Sequence, residues 1–409
     1  MPRKNLTLLS ALVLLSGIII VSGFSSHSEY VFSNFDRMKK SVSSVFFKDS
    51  KTPEELKVKY VEAQKGIGKL RIMIVAGHDK VSHGAKFENT NEFEINAILA
   101  EKLADKLSTR DEIDVFMVRN IAGYNPVFLE YLENNKQEIE SFVGNKKYKM
   151  ENLIDTGEIH SYLDGVPHNV AMPDIIFMLY GVNKMANDIK SDIVLHIHFN
   201  DYPRKNMGEP GKYDGFTIYI PERQYSNYNV SKEVAVHIKN SLMEFVPLSS
   251  LPKESAGITE DQELIAIGAF NTLEGAGLLM EYGYIYEPEL QNEIIQENFL
   301  ELLAQQTYDG VMAFFDEEFE NRKNMDGEYS RFSLSNIKNT LYYGTKDSEE
   351  VFLLQATLRE KGFYPPSGSS LRECPIIGSY GPCTAKAVSE YAKSLELNKS
   401  GRVFDPKSF

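Results

Sequence analysis

The stretch that decides the fold is Leu70–Asp79, LRIMIVAGHD. It is a short, continuous apolar run that ends in glycine, which predicts a buried strand rather than a helix. Downstream, Ile95, Ile98, Leu99, Leu103 and Leu107 in INAILAEKLADKL fall near helical spacing and predict an amphipathic helix. DEIDVFMVRN, residues 111–120, then reads as a second strand. Strand, helix, strand in that order is a parallel α/β unit.

The alternation continues to the C-terminal side. IIFMLYGVNKMANDIK (175–190) predicts a helix, SDIVLHIHFND (191–201) a third strand and GFTIYI (215–220) a fourth. NVSKEVAVHIKNSLMEF (229–245) predicts a helix, GAGLLMEYGYI (275–285) a further strand and Gln291–Phe315 a closing helix. The expected fold is α/β: an open, mostly parallel or mixed sheet flanked by helices over residues 70–319. Residues 121–172 interrupt the pattern. They are polar, with one helix expected over PVFLEYLENNKQEIESF (126–142), and read as an insertion over one face.

To the N-terminal side, residues 25–69 read as a stalk with one helix. Thr52 as N-cap, Pro53 after it and Glu55 at the third position form a capping box before TPEELKVKYVEAQ ends near Gly66. Further back, Arg3 and Lys4 precede the uncharged run Leu6–Phe24, a charged n-region followed by an h-region. Residues 1–24 therefore read as a signal peptide or a retained membrane anchor, because the run also reaches the roughly 20 residues that span a bilayer. No cysteine lies near it, which argues against a lipoprotein anchor. Either reading places the rest of the chain outside the cytoplasm: secreted, periplasmic or wall-associated.

The chain has 409 residues and a net charge of −14, which argues against a nucleic-acid partner. The charge is uneven. Residues 331–409 hold eleven Lys/Arg against eight Asp/Glu, a net of +3, so the remainder carries −17. A charged linker, 320–334, separates the α/β region from a small, mainly helical C-terminal part, 335–409. The two cysteines, Cys374 and Cys383, flank a Gly/Pro-containing loop and are expected to pair, since export permits a disulfide.

Chemistry-bearing residues gather at strand ends, where open α/β sheets place their sites. His78 ends the first strand, His196 and His198 end the third, and Glu281 ends the late one. Side chains alternate along a strand, so Val194, His196 and His198 share a face and either histidine could be a ligand. Asp79, His83, Glu92 and Glu94 follow His78 in a loop that can fold back over the strand end. Two or three histidines with carboxylates and no usable cysteine is the donor set of a catalytic zinc site, three protein ligands and a water.

These residues resemble the zinc-dependent N-acetylmuramoyl-L-alanine amidases of the type 3 amidase family. VAGH carries the family's Gly-His motif at His78, and EFEINAILA places its ligand glutamate at Glu92 and its asparagine at Asn96. HIHFN selects His198 over His196 and places a second asparagine at Asn200; LLMEYGY places the catalytic glutamate at Glu281. Asp79 stands where the family usually has glycine, His196 where it has serine, and the insertion is longer than usual. The C-terminal part resembles a small peptidoglycan-binding domain through Val351, Leu354, Gln355, Leu358 and Gly362, then Gly378, Tyr380, Gly381, Thr384, Ala387 and Val388; Ile377 replaces the usual Asp. The resemblance implies a Zn²⁺ ion on His78, Glu92 and His198, Glu281 as proton carrier, peptidoglycan as substrate and a protein activator as a partner to test for. The rival expectations are another zinc peptidoglycan hydrolase of carboxypeptidase type, and a non-catalytic or latent wall-binding protein on the same fold. His160 and His168, in the insertion, are expected to be surface or loop residues.

Overall fold

The computed structural model describes residues 50–161, 172–202, 204–316, 318–319 and 332–409. The segment read as signal or anchor, most of the expected stalk, His168 and most of the charged linker lie outside the described residues. Among the described residues no helix is long and apolar enough to cross a membrane.

Helix α1 (Pro53–Gln64) begins with the expected capping box: Thr52 Oγ1 accepts from Glu55 N at 3.1 Å, and Glu55 Oε2 accepts from Thr52 N at 2.9 Å. It does not stand free as a stalk. Leu56 and Tyr60 are buried, the Tyr60 ring stacks on Phe315 at 4.8 Å, and its hydroxyl donates to Glu112 at 2.9 Å. Lys51 and Lys59 both pair with the buried Asp192. From about residue 50 onward, the segment expected to be a linker is part of the folded body.

The strands and helices that follow are β1 (Leu70–Ala76), the two-residue hairpin β2 (Lys86–Phe87) and β3 (Thr90–Asn91), α2 (Glu92–Ser108) and β4 (Ile113–Met117). Then come α3 (Pro126–Asn134), α4 (Lys136–Asp155), α5 (Pro173–Asp188), β5 (Ile193–Asn200), β6 (Thr217–Pro221), α6 (Tyr228–Leu242), β7 (Ile258–Asp261), β8 (Ala276–Tyr284) and α7 (Glu293–Phe315). Six strands form one mixed sheet in the order β4-β1-β5-β8-β6-β7. β4, β1, β5 and β8 run parallel; β6 pairs antiparallel to β8 and parallel to β7. The fold class is α/β, as expected.

Strand alternation divides the core. Ile72, Ile74 and Ala76 of β1, with Ile193, Leu195 and Ile197 of β5, pack with α2, α6 and α7 on one face. Met73, Val75 and Val194 pack with α3 and α5 on the other. The single helix expected at 126–142 is two helices. Asn135 leaves helical geometry (φ −112°, ψ 18°), and its amide donates to Tyr131 O at 2.8 Å, closing the first before the second starts. β7 is an additional edge strand. Its sequence, ITED, is too polar and short to announce itself.

The C-terminal part holds β9 (Leu341–Tyr342), α8 (Glu349–Glu360), α9 (Pro382–Ser394) and β10 (Val403–Phe404), with β9 and β10 paired antiparallel. Cys374 and Cys383 are joined by a disulfide. Val351, Phe352, Leu358 and Val388 belong to the same continuous apolar core as α7. Phe332 bridges Phe245 and Phe352, and Arg372 pairs with Asp214. The motif residues of this part are spent internally. Gln355 Nε2 donates to Thr384 Oγ1 at 2.8 Å and Ser379 O at 3.0 Å, while its Oε1 accepts from Ile377 N and Gly378 N.

Candidate metal centre

Three parallel strand ends and one helix start converge. His78 lies two residues past β1, His198 sits near the end of β5, Glu281 lies opposite His198 in register on β8, and Glu92 opens α2. His78 Nε2 is 3.3 Å from Glu92 Oε2, and His198 Nδ1 is 3.1 Å from Glu92 Oε1. One ligand atom from each of the three residues lies within 4.8 Å of the other two.

Each side chain is held by a local cause. Glu92 is nearly fully buried in the first turn of α2, where the helix dipole favours an anion. Its Oε2 accepts from Ala85 N at 2.7 Å, and its Oε1 from Phe199 N at 3.2 Å and Asn96 Nδ2 at 3.3 Å. Burial disfavours its charge, but the hydrogen bonds and charges of His198 and His78 hold it well below the usual carboxylate range. Burial lowers the His198 pKa despite Glu92. At His78 burial acts the same way, but the hydrogen bond and charge of Glu92 outweigh it and raise the pKa.

Two glycines make the room. A Cβ at Gly77 would run into the His198 imidazole, and one at Gly84 into the Glu92 carboxylate and the His78 ring. The cluster therefore occupies space that any other residue at 77 or 84 would fill. Two imidazoles and a carboxylate are a donor set suited to a divalent transition metal. Tetrahedral ligands about 2.0–2.1 Å from a zinc ion lie roughly 3.4 Å from one another. The two short contacts use different oxygens of Glu92, and one ligand atom from each residue lies within 4.8 Å of the other two, so the residues present can gather round such an ion with small side-chain adjustments.

The remaining candidates separate. His196 shares a strand face with His198 but lies two residues deeper, fully buried, with Nε2 unpartnered among the described residues; burial pushes its pKa down to about 3, so it is a neutral core imidazole. His83 stacks on Phe93 at 5.3 Å, and Glu94 accepts from Asn91 at 2.8 Å. Asp79 Oδ1 accepts from Val81 N and Ser82 N, closing the loop, and Oδ2 accepts from the Tyr124 hydroxyl at 2.9 Å. Asp79 thus ties the His78 loop to the segment that starts at residue 121. The His160 side chain is exposed, its backbone joined to Gln224.

Glu281 stands opposite His198 in register on β8. Its Oε2 is buried without a hydrogen-bond partner among the described residues. Burial, with the charges of Glu92 and Glu254, pushes its pKa well above the ordinary value. Glu254 carried no sequence signal, since it lies in the loop SLPKES. It is buried and accepts from Tyr219 OH at 2.6 Å, Ser249 Oγ at 2.7 Å and Tyr284 OH at 3.2 Å. Arg119, at the end of the second predicted strand, was equally silent. It is buried with its guanidinium on backbone carbonyls beside both His78 and Glu92.

Residues 162–313 match the family described as N-acetylmuramoyl-L-alanine amidase. The match contains His198 and Glu281 and stops short of His78 and Glu92. No curated protein sequence matches the chain. Among solved structures, the chain is similar to an N-acetylmuramoyl-L-alanine amidase from Clostridium difficile 630, at 18% identity over 61% of this chain and 99% of that one, TM-score 0.39. It is similar to the CwlD amidase from Clostridioides difficile, solved in complex with the GerS lipoprotein, at 17% identity over 61% and 100%, TM-score 0.39. It is also similar to the amidase Ami1 from Mycobacterium smegmatis, at 11% identity over 61% and 99%, TM-score 0.39.

Proposed function

We propose that this chain is an exported zinc amidase that hydrolyses the bond between N-acetylmuramic acid and L-alanine in peptidoglycan, in wall remodelling or cell separation. The observation that carries this reading is the meeting of His78, Glu92 and His198 within 4.8 Å, with Glu281 opposite His198 in register and its Oε2 buried without a hydrogen-bond partner among the described residues. The match of residues 162–313 to the amidase family supports the substrate class.

His78, Glu92 and His198 would hold the ion. When bound there, zinc supplies a Lewis acid that polarises a carbonyl and acidifies a neighbouring water. Glu92 brings the one negative charge among the three ligands, and the N–H groups of Ala85 and Phe199 fix its orientation. Glu281, whose proton affinity is raised by burial and nearby anions, accepts a proton from the attacking water on its carboxylate and returns it to the departing amide nitrogen.

The other parts follow from the same reading. Leu6–Phe24 would export the chain, as a cleaved signal or a retained anchor. Residues 335–409 would bind the wall, with their net positive charge facing a polyanion. A protein activator would act through residues 121–172, which reach the His78 loop by the Tyr124–Asp79 hydrogen bond.

The test is to incubate the zinc-loaded protein with purified sacculi and identify products by mass. An amidase releases intact stem peptides with a free L-alanine amino group. Release of single C-terminal residues would mean a carboxypeptidase, and a zinc-loaded protein that releases nothing would mean a non-catalytic or latent wall protein. A zinc-free but active His198→Ala variant would refute the ligand assignment.

A further inference from the structure

Arg119 lies between the two ligand-bearing segments. It is 4% exposed and makes no ion pair with any described carboxylate. Its Nε donates to Ala76 O at 3.0 Å, and its Nη2 donates to Gly77 O at 2.6 Å and Phe93 O at 2.8 Å. Ala76 and Gly77 immediately precede His78, and Phe93 immediately follows Glu92. One planar, rigid group therefore clamps the end of β1 to the first turn of α2. Desolvating a guanidinium to bond neutral carbonyls is a costly way to close a core, where an apolar side chain of similar volume would pack without charge.

The clamp bears on one strained torsion. His78 has φ +61°, a region disfavoured for any residue with a Cβ. That torsion is rotation about the bond leaving the Gly77–His78 amide plane, and the Gly77 carbonyl is part of the plane. Two donors hold that carbonyl: Arg119 Nη2 at 2.6 Å and Asn96 Nδ2 at 3.0 Å. Asn96 also donates to Glu92 Oε1 at 3.3 Å, so the same pair of side chains touches both ligand segments.

We propose that Arg119 is a positioning residue for the metal centre: it fixes the Gly77–His78 peptide against the first turn of α2, so that His78 and Glu92 stand at ligand separation before any ion arrives. The inference rests on the metal-centre reading above. Lysine cannot substitute, because a point ammonium has no planar fork to span three carbonyls on two segments. Groups that orient ligands without touching the metal typically contribute about 10–100-fold in metal affinity.

The experiment uses the full chain as wild type, Arg119→Lys, Arg119→Gln and, as a control, Arg110→Gln. Arg110 lies before the start of β4, at the end away from the centre, and pairs with Glu112. Zn²⁺ affinity is measured by competition with a chromophoric chelator, the Co²⁺ absorption band by titration, and the metal-free fold by circular dichroism and thermal unfolding. The expected result is one zinc per wild-type chain. Both Arg119 variants stay folded without metal, bind zinc about 10–100-fold more weakly and show a shifted Co²⁺ band; Arg110→Gln lowers the melting temperature but leaves zinc affinity unchanged. Arg119→Lys binding zinc within about twofold of wild type, with an unaltered Co²⁺ band, overturns the inference while the metal centre stands. Metal-free unfolding of both Arg119 variants also overturns it, making Arg119 a folding residue. A wild-type chain that binds no zinc instead defeats the metal-centre reading itself.

Discussion

His198 and Glu281 face each other in register on the adjacent parallel strands β5 and β8, one hydrogen-bonded to Glu92 and the other with a buried oxygen that has no partner among the described residues. On the proposed reading, neighbouring positions in the same sheet would be divided between holding a cation and holding a proton. Glu281→Gln keeps the shape and removes the proton acceptor. We expect zinc content and affinity to stay at wild-type level while kcat on sacculi falls by about 10²–10⁴, the usual contribution of a positioned acid–base group. Parallel metal analysis and turnover measurements check this; a variant that loses zinc would place Glu281 among the ligands instead.

Gly77→Ala tests whether the centre depends on close backbone approach. The added Cβ would collide with the His198 ring, and Gly77 sits in the middle of the Arg119 and Asn96 contacts. Overpacking of this kind costs about 1–3 kcal/mol, and here the group displaced is the ligand itself. We expect denaturant unfolding of the metal-free protein to show a loss in that range, together with a marked loss of zinc affinity. Unchanged zinc affinity would mean that the imidazole moves aside without leaving the site.

The strands, and the histidines and glutamate at their ends, were legible in the sequence because they are short runs with one dominant pattern. LRIMIVAGH and SDIVLHIHFN carry both the buried-strand signature and the chemistry at its end. Alternation alone left His196 and His198 equivalent; the family resemblance of HIHFN chose His198, and in the structure His196 is set apart by full burial and a backbone contact with Ala266. Arg119 was invisible because a lone arginine ending a strand carries no pattern, and its partners are carbonyls that any residue supplies. Glu254 was hidden likewise, since its donors Tyr219, Ser249 and Tyr284 come from three separate segments. Helix α1 was misplaced in a stalk because its capping box announces a helix but says nothing about what that helix packs on.

That docking makes its own prediction. Tyr60 is almost fully buried, stacked on Phe315 and bonded to Glu112, which also pairs with Arg110. Truncating a large buried aromatic costs about 3–5 kcal/mol. We expect Tyr60→Ala to lower stability by that order, and a fragment starting at Lys69 to be less stable than one starting at Ser50. Thermal unfolding of the two fragments decides; equal melting temperatures would return α1 to the role of a tether.

The last prediction concerns pH. Glu287 and Glu289 are both buried between β8 and α7, where burial and, for Glu287, the charge of Glu289 raise their pKa values, Glu287 to about 8. In the unfolded chain these carboxyls titrate at an ordinary value near 4.5. Between that value and the folded one, the native state binds protons that the unfolded state has released, so stability falls as pH rises. The contribution is therefore fully present below about pH 4.5 and gone above about pH 8. Glu287→Gln removes the titration but keeps an acceptor for the N–H groups of Tyr284 and Gly215, which now bond Glu287 Oε1 at 2.7 and 2.8 Å. Its unfolding free energy should therefore exceed that of wild type at pH 8 by roughly a few kcal/mol, with the difference shrinking toward pH 5. Subtracting the two profiles cancels the groups that do not interact with Glu287, including the buried His196, whose depressed pKa acts in the opposite direction at acid pH; the difference that remains belongs to Glu287 and its interacting neighbour Glu289. A difference that stays flat from pH 5 to 8 would show that Glu287 is ionised throughout, carried by its two backbone donors.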